Sequence, residues 1–239
     1  MKVAVAVVTA VLAVAGAAPS CDPATDPKIA VGGDVACAPS DTSFNNLAGT
    51  ATKCRMKYTG DALVAGNYAS VLAVGDVQYN SGKLSELSAS YGPTWGRVKS
   101  VTRPAVGNHD YGTSGAADYF AYFGSAAGTP GMGWYSYDVG TWHIVVLNSN
   151  CTKLAGGYGP GSTQDNTSRL DDARGIAQFV VGTGGAFFTG FGSAHANSEA
   201  RQNDTYGLLE LTLHRDGYDW RFVPEAETSY TDSGSRASH

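Results

Sequence analysis

Charge is scarce in this chain. Only 15% of its 239 residues are Asp, Glu, Lys or Arg, where soluble domains usually carry about 25%. The 16 Lys and Arg are scattered and outnumbered by 21 Asp and Glu, a formal balance of −5. No basic patch therefore points to nucleic acid or to an anionic membrane as a partner. Cysteine is limited to four residues, Cys21, Cys37, Cys54 and Cys151, with no Cys-x-x-Cys pair, which argues against a zinc knuckle. Histidine is limited to five, at 109, 143, 195, 214 and 239. Past residue 17 no run reaches the ~20 apolar residues that a membrane-spanning helix needs. No Gly-x-Ser-x-Gly elbow surrounds Ser193 or Ser198, and no lysine follows Gly182-Thr183-Gly184-Gly185. Serine hydrolase and phosphate-loop chemistry therefore have no support.

Hydrophobic residues at 43% and 31 glycines fit a globular chain, and the length fits one large domain or two small ones. Lys2, an apolar run over 3–14 broken only by Thr9, and the small residues Ala15-Gly16-Ala17 describe a secretory signal peptide over 1–17. Export would place the cysteines where disulfides persist. Four cysteines allow three full pairings, and the spacing does not choose among them.

Short β-branched runs end in Gly, Asp or Asn: Lys28-Ile29-Ala30-Val31-Gly32-Gly33-Asp34, Val71-Leu72-Ala73-Val74-Gly75-Asp76 and Pro104-Ala105-Val106-Gly107-Asn108. Apolar runs bounded by turn residues predict buried strands. Segments 58–67 and 83–90 between them can be helical, so the first half predicts βαβ units and a mostly parallel sheet. Runs 133–139 and 142–147 alternate around Gly140 like a hairpin. Strands are also expected over 177–181, 208–213 and 218–223, the last two joined by Arg215-Asp216-Gly217. Residues 152–172 lack apolar periodicity and read as a long irregular loop. The domain is expected over 28–225, followed by a loose polar tail over 226–239.

The three strand ends bring Asp34, Asp76, Asn108 and His109 to the carboxyl edge of one parallel sheet, where open α/β folds place their ligands. Carboxylates, an amide oxygen and imidazole are donors for hard or borderline cations such as Fe, Mn, Zn or Mg. A metal site is the natural expectation.

Gly33-Asp34, Gly75-Asp76-Val77-Gln78-Tyr79 and Gly107-Asn108-His109-Asp110, in this order and each behind an apolar strand, resemble the motifs of the calcineurin-like metallophosphoesterases. The second motif is similar to that of the purple acid phosphatase branch, which does without a His two residues after its first Asp, where this chain has Ala36. The resemblance spans about 28–150 and resumes from about 173 to 225. It implies an α/β (α+β) four-layer sandwich of two mixed β-sheets flanked by helices, here incomplete, and hydrolysis of phosphate esters. It further implies a dinuclear metal centre of iron paired with zinc, manganese or a second iron. Asp34 would bind the first metal, Asp76 would bridge both, Tyr79 would bind the first as phenolate and Asn108 the second. His109 would donate to the phosphate or leaving oxygen, with Asp110 fixing its orientation.

The family supplies three further imidazole ligands from the interval that here is the loop 152–172, which contains no His. His143 and His214, at strand positions, are expected in structural roles, leaving His195 as the one substitute ligand. The expectation is a secreted metallophosphoesterase impaired by missing ligands. Its rivals are a non-catalytic ligand-binding relative and an incomplete gene product. A Cys37–Cys54 disulfide is expected, since the two flank one short connection after the first strand and would close a loop worth roughly 3 kcal/mol in the chain-entropy model. The resemblance also implies that Cys151 lacks its partner, because Tyr158 stands where relatives often have Cys.

Overall fold

A computed structural model describes residues 26–150, 153, 177–194, 198–225 and 230–238. Strands β1 (Lys28–Gly32), β2 (Ser70–Val74) and β3 (Thr102–Ala105) run parallel to one another. β4 (Tyr135–Val139) and β5 (Trp142–Val146) form a separate antiparallel hairpin. β6 (Gly207–Leu213), β7 (Gly217–Pro224) and β8 (Ser233–Ala237) extend the first sheet antiparallel, giving the order β3-β2-β1-β6-β7-β8. The protein is thus mixed α/β, with one six-stranded mixed sheet and, among the described residues, a second sheet of two strands.

Both faces of the large sheet are apolar, as a central sheet covered on two sides requires. On one face Ile29, Val31, Leu72, Val74, Leu209, Leu211 and Leu213 pack against Val139, Trp142 and Ile144 of the hairpin. On the other, Ala30, Val71, Ala73 and Leu208 meet the helical layer. Helix α1 (Met56–Gly66) buries Met56, Thr59, Gly60 and Leu63, a single stripe at helical spacing, and ends where Asn67 turns left-handed with φ 49°. Gly60 lets α1 approach the backbone at Thr94. There Trp95, fully buried beneath Gly32, donates its indole N–H to the Thr59 hydroxyl at 2.9 Å.

The segment expected to be helical over 83–90 is so, as α2 (Leu84–Glu86) continuing into a π-helical turn over Leu87–Tyr91, while two other expectations need correction. Ser88 there returns its hydroxyl to the Leu84 carbonyl at 2.8 Å, a back-bond that weakens helical propagation. Residues 177–181 form no strand; Phe179 instead lies on Tyr218 and Trp220, and the Val181 carbonyl accepts from the Gly33 N–H at 2.7 Å. The tail is not loose throughout, because β8 pairs along β7 from Gly217↔Ala237 to Arg221↔Ser233. Main-chain pairing asks nothing of side-chain polarity, and Gly234 lies flat on the Trp220 ring where a Cβ would clash.

The Cys37–Cys54 disulfide is formed, with Cα atoms 5.5 Å apart. No helix among the described residues is long and apolar enough to cross a membrane. The signal-peptide segment, Cys21, Cys151, Tyr158, His195 and the loop 154–172 lie outside the described residues.

His143 and His214 take the structural roles expected of them. His143 Nδ1 lies 2.7 Å from Asp138 Oδ1 across the hairpin. His214 is held between Asp26 Oδ2, 2.5 Å from Nδ1, and Asp219 Oδ2, 3.0 Å from Nε2, which raises its pKa above the ordinary imidazole value. A raised folded-state pKa contributes stability that is complete below the unfolded value of about 6.5 and is lost as pH rises through the folded one. Scanning calorimetry should therefore show a larger fall in melting temperature between acid and mildly alkaline pH for the wild type than for His214→Asn. Parallel curves would remove this clamp from the account.

Candidate metal centre

The parallel half of the sheet delivers three chain segments to one edge. Past the ends of β1 and β2, Asp34 and Asp76 each follow a glycine and each adopt left-handed backbone, φ 54° and 47°. That conformation costs a residue with a Cβ roughly 1–2 kcal/mol and is found where surrounding structure imposes it. Here a ladder imposes it: Asp34, Val35 and Ala36 donate to the carbonyls of Gly75, Asp76 and Val77 at 3.2, 3.1 and 3.2 Å. The Tyr79 N–H then returns to the Ala36 carbonyl at 2.8 Å. The exit from β3 passes so near that a Cβ on Gly107 would overlap both the amide nitrogen and the carboxylate of Asp76.

Oxygen atoms converge as a result. The Tyr79 hydroxyl lies in hydrogen-bond contact with Asp34 Oδ1 and, at 3.0 Å, with Asp76 Oδ2. Asp76 Oδ1 accepts the His109 backbone N–H at 2.8 Å. The His109 ring faces Tyr79 with centroids 4.4 Å apart, and Phe187 packs on Tyr79 at 4.7 Å. His109 Nδ1 lies 2.9 Å from the Asn80 carbonyl oxygen. A carbonyl only accepts, so Nδ1 carries the proton.

Burial, with a smaller contribution from Asp76, pushes the Asp34 carboxyl up to about 6 against the lowering effect of its Tyr79 hydrogen bond. Burial, reinforced by both carboxylates, holds the Tyr79 phenol protonated far above its usual range. Without a cation, the phenol proton is what the two carboxylates share. Asp110 is fully buried, and burial first, then Asp76, pushes it up to about 8.

Of the residues expected at the site, Asp34, Asp76 and Tyr79 meet directly and His109 stands beside them. Asn108 is exposed on the adjoining turn. Asp110 Oδ2 accepts the N–H groups of Gly107 at 2.8 Å and Val77 at 3.5 Å, and the Asn80 carbonyl holds the His109 Nδ1. Asp110 thus shapes the loops on which Asp76 and His109 stand. Sequence reasoning missed Asn80 and Phe187. Asn80 acts through its main chain, which has no residue-type signature, and Phe187 arrives from more than 100 positions along the chain.

The donors fit a hard cation. Two carboxylates and a phenol oxygen meet at one point, and all are oxygen donors. Elsewhere, Cys37, Asp41 and Cys54 bring ligand-type atoms within 4.8 Å of one another. The two sulfurs are joined in the disulfide and are not thiolates, the form that binds metal. Comparison with protein-family models and with curated proteins returned no match.

Proposed function

We propose that the edge built by Asp34, Asp76, Tyr79, Asn108 and His109 is the centre of an exported, metal-dependent phosphoesterase of low turnover. The observation that supports this reading is the convergence of Asp34, Asp76 and Tyr79 oxygens from two strand ends, beside an imidazole whose tautomer is set. Cations bound there, iron with zinc, manganese or a second iron in the dinuclear form, would neutralise a phosphoryl group and activate water. The chain's own residues do the rest. Asp34 and Tyr79 would hold one ion, Asp76 would serve both, and Asn108 would serve the second. His109 Nε2, opposite the nitrogen fixed by Asn80, gives a proton to the phosphate or leaving oxygen. Phe187 covers the Tyr79 ring and limits water on that side. Low turnover follows from the sparse donors for the second ion.

Hydrolysis of an aryl phosphate by metal-supplemented protein tests the reading. We expect slow turnover that needs added metal, disappears in Asp76→Ala and falls about 10²–10⁴-fold in His109→Ala, the usual range for losing a general acid. Turnover unaffected by either substitution sinks the assignment. Metal binding without turnover would favour the non-catalytic alternative. Elemental analysis should also find less metal in Asp76→Ala than in Asp34→Ala, because only Asp76 would serve both ions; equal contents would count against the bridging role.

A further inference from the structure

Residues 182–187 run as a slat between two other segments. On one side the Gly184 and Ala186 N–H groups donate to the carbonyls of Gly33 and Asp34, both at 2.8 Å. On the other, the N–H groups of Cys54 and Arg55 donate to the carbonyls of Ala186 and Gly185 at 2.9 and 2.6 Å. The fit leaves no room for a side chain at the three glycines. A Cβ on Gly182 would overlap Asp34 Oδ2, one on Gly184 would crowd the Val35 side chain at 3.0 Å, and one on Gly185 would lie 2.6 Å from Met56 Cα. The Thr59 hydroxyl ties the slat to α1 through the Gly184 carbonyl at 2.5 Å. At its far end Phe187 reaches Tyr79.

The disulfide closes this three-layer stack from the outside. Cys37 lies three residues past Asp34, and Cys54 begins the segment on the opposite side of the slat. Both sulfurs are buried, and that of Cys37 lies 3.4 Å from the Ala186 carbonyl oxygen. A disulfide sulfur carries no proton, so this is a packing contact. The Cys37 carbonyl is itself held by the Ser90 hydroxyl at 2.5 Å.

We infer that Cys37 and Cys54 are positioning residues of the carboxylate edge: their bond clamps the Asp34 loop and residues 182–187 together, so that Asp34 and Phe187 both reach Tyr79. Asp34 sits in left-handed backbone with a desolvated carboxylate, and both features favour release of the loop. A covalent link between the outer layers opposes that release, by removing open conformations from those available to the chain. The consequence for metal affinity rests on the cation reading above; the clamp itself does not.

The test compares the full wild-type chain with Cys37→Ala/Cys54→Ala by amide hydrogen exchange and by equilibrium dialysis against Mn²⁺. We expect exchange at Val35, Tyr79, Gly184 and Ala186 to speed up at least tenfold in the variant, exchange at Leu209 and Leu211 of β6 to stay the same, and Mn²⁺ affinity to fall at least tenfold. Unchanged exchange at the four site amides overturns the clamp. Loss of protection across β6 as well overturns it too, since the disulfide would then be a general staple of the fold. If the wild type binds no Mn²⁺, the cation reading fails, and the exchange pattern alone decides the clamp.

Discussion

Gly107→Ala is expected to destabilise the protein by about 3 kcal/mol, at the upper end of what forced overpacking costs. The reason is local. The chain leaving β3 passes the turn after β2 so closely that the new methyl would occupy the place of the Asp76 amide nitrogen and a carboxylate oxygen. Neither neighbour can yield freely. The Asp76 turn is held by the Val35 N–H on its carbonyl, and its carboxylate by the His109 N–H and the Tyr79 hydroxyl. Asp110, buried behind, accepts the Gly107 N–H at 2.8 Å and would lose that bond as the backbone moved. Gly190→Ala is the control, since nothing lies within 4 Å of the site of its new methyl; its effect should stay within about 0.5 kcal/mol. Urea unfolding measures both. Midpoints for the two variants that agree within error would show that the strand exit is less crowded than the geometry implies.

How far such features were legible in the sequence depended on whether the signal was local. The ends of β1, β2 and β3 announced themselves, because a fully buried strand is a short apolar run and the turn after it takes Gly, Asp or Asn. Those ends point to Asp34 and Asp76, the resemblance adds Tyr79, and the structure brings the three together. The Cys37–Cys54 bridge followed from two cysteines flanking one connection. Residues 177–181 misled for a physical reason: Phe179 and Val181 are apolar because they lie against the sheet, and apolar composition does not separate lying on a sheet from pairing within it. β8 was invisible because an edge strand of Ser, Gly and Arg is recruited by the open main chain of β7. The slat at 182–187 offered only glycines, and nothing local tells a turn from a strip of backbone squeezed between two others. The imidazoles that the resemblance would supply from 152–172 have no counterpart in that stretch of sequence, and no described side chain takes their place beside Asp34 and Asp76.

Asp34 should make the chelated protein lose stability as pH rises, and a cation should return it. Asp34 is held at about 6, chiefly by burial, above the roughly 3.9 of an unfolded aspartate. A group raised in the folded state favours the native form while protonated, so its contribution is full below about 4 and is gone above about 6. Each tenfold gain in proton affinity on folding corresponds to about 1.4 kcal/mol, so the rise at Asp34 is worth on the order of 2–3 kcal/mol. Chelator-treated wild type should therefore unfold at lower urea concentration at pH 7 than at pH 4.5, with Asp34→Asn flattening part of the difference and leaving the part due to Asp110, which burial pushes up to about 8, and to His214. A cation that binds only the ionised carboxylates stabilises in proportion to the logarithm of its concentration over its dissociation constant. Mn²⁺ should accordingly raise the midpoint strongly at pH 7, weakly at pH 5, and hardly at all in Asp34→Asn. Equal stabilisation at both pH values would mean that the ion binds elsewhere. A variant that keeps the wild-type pH slope would mean that solvent reaches Asp34 more freely than its largely buried position past the end of β1 allows.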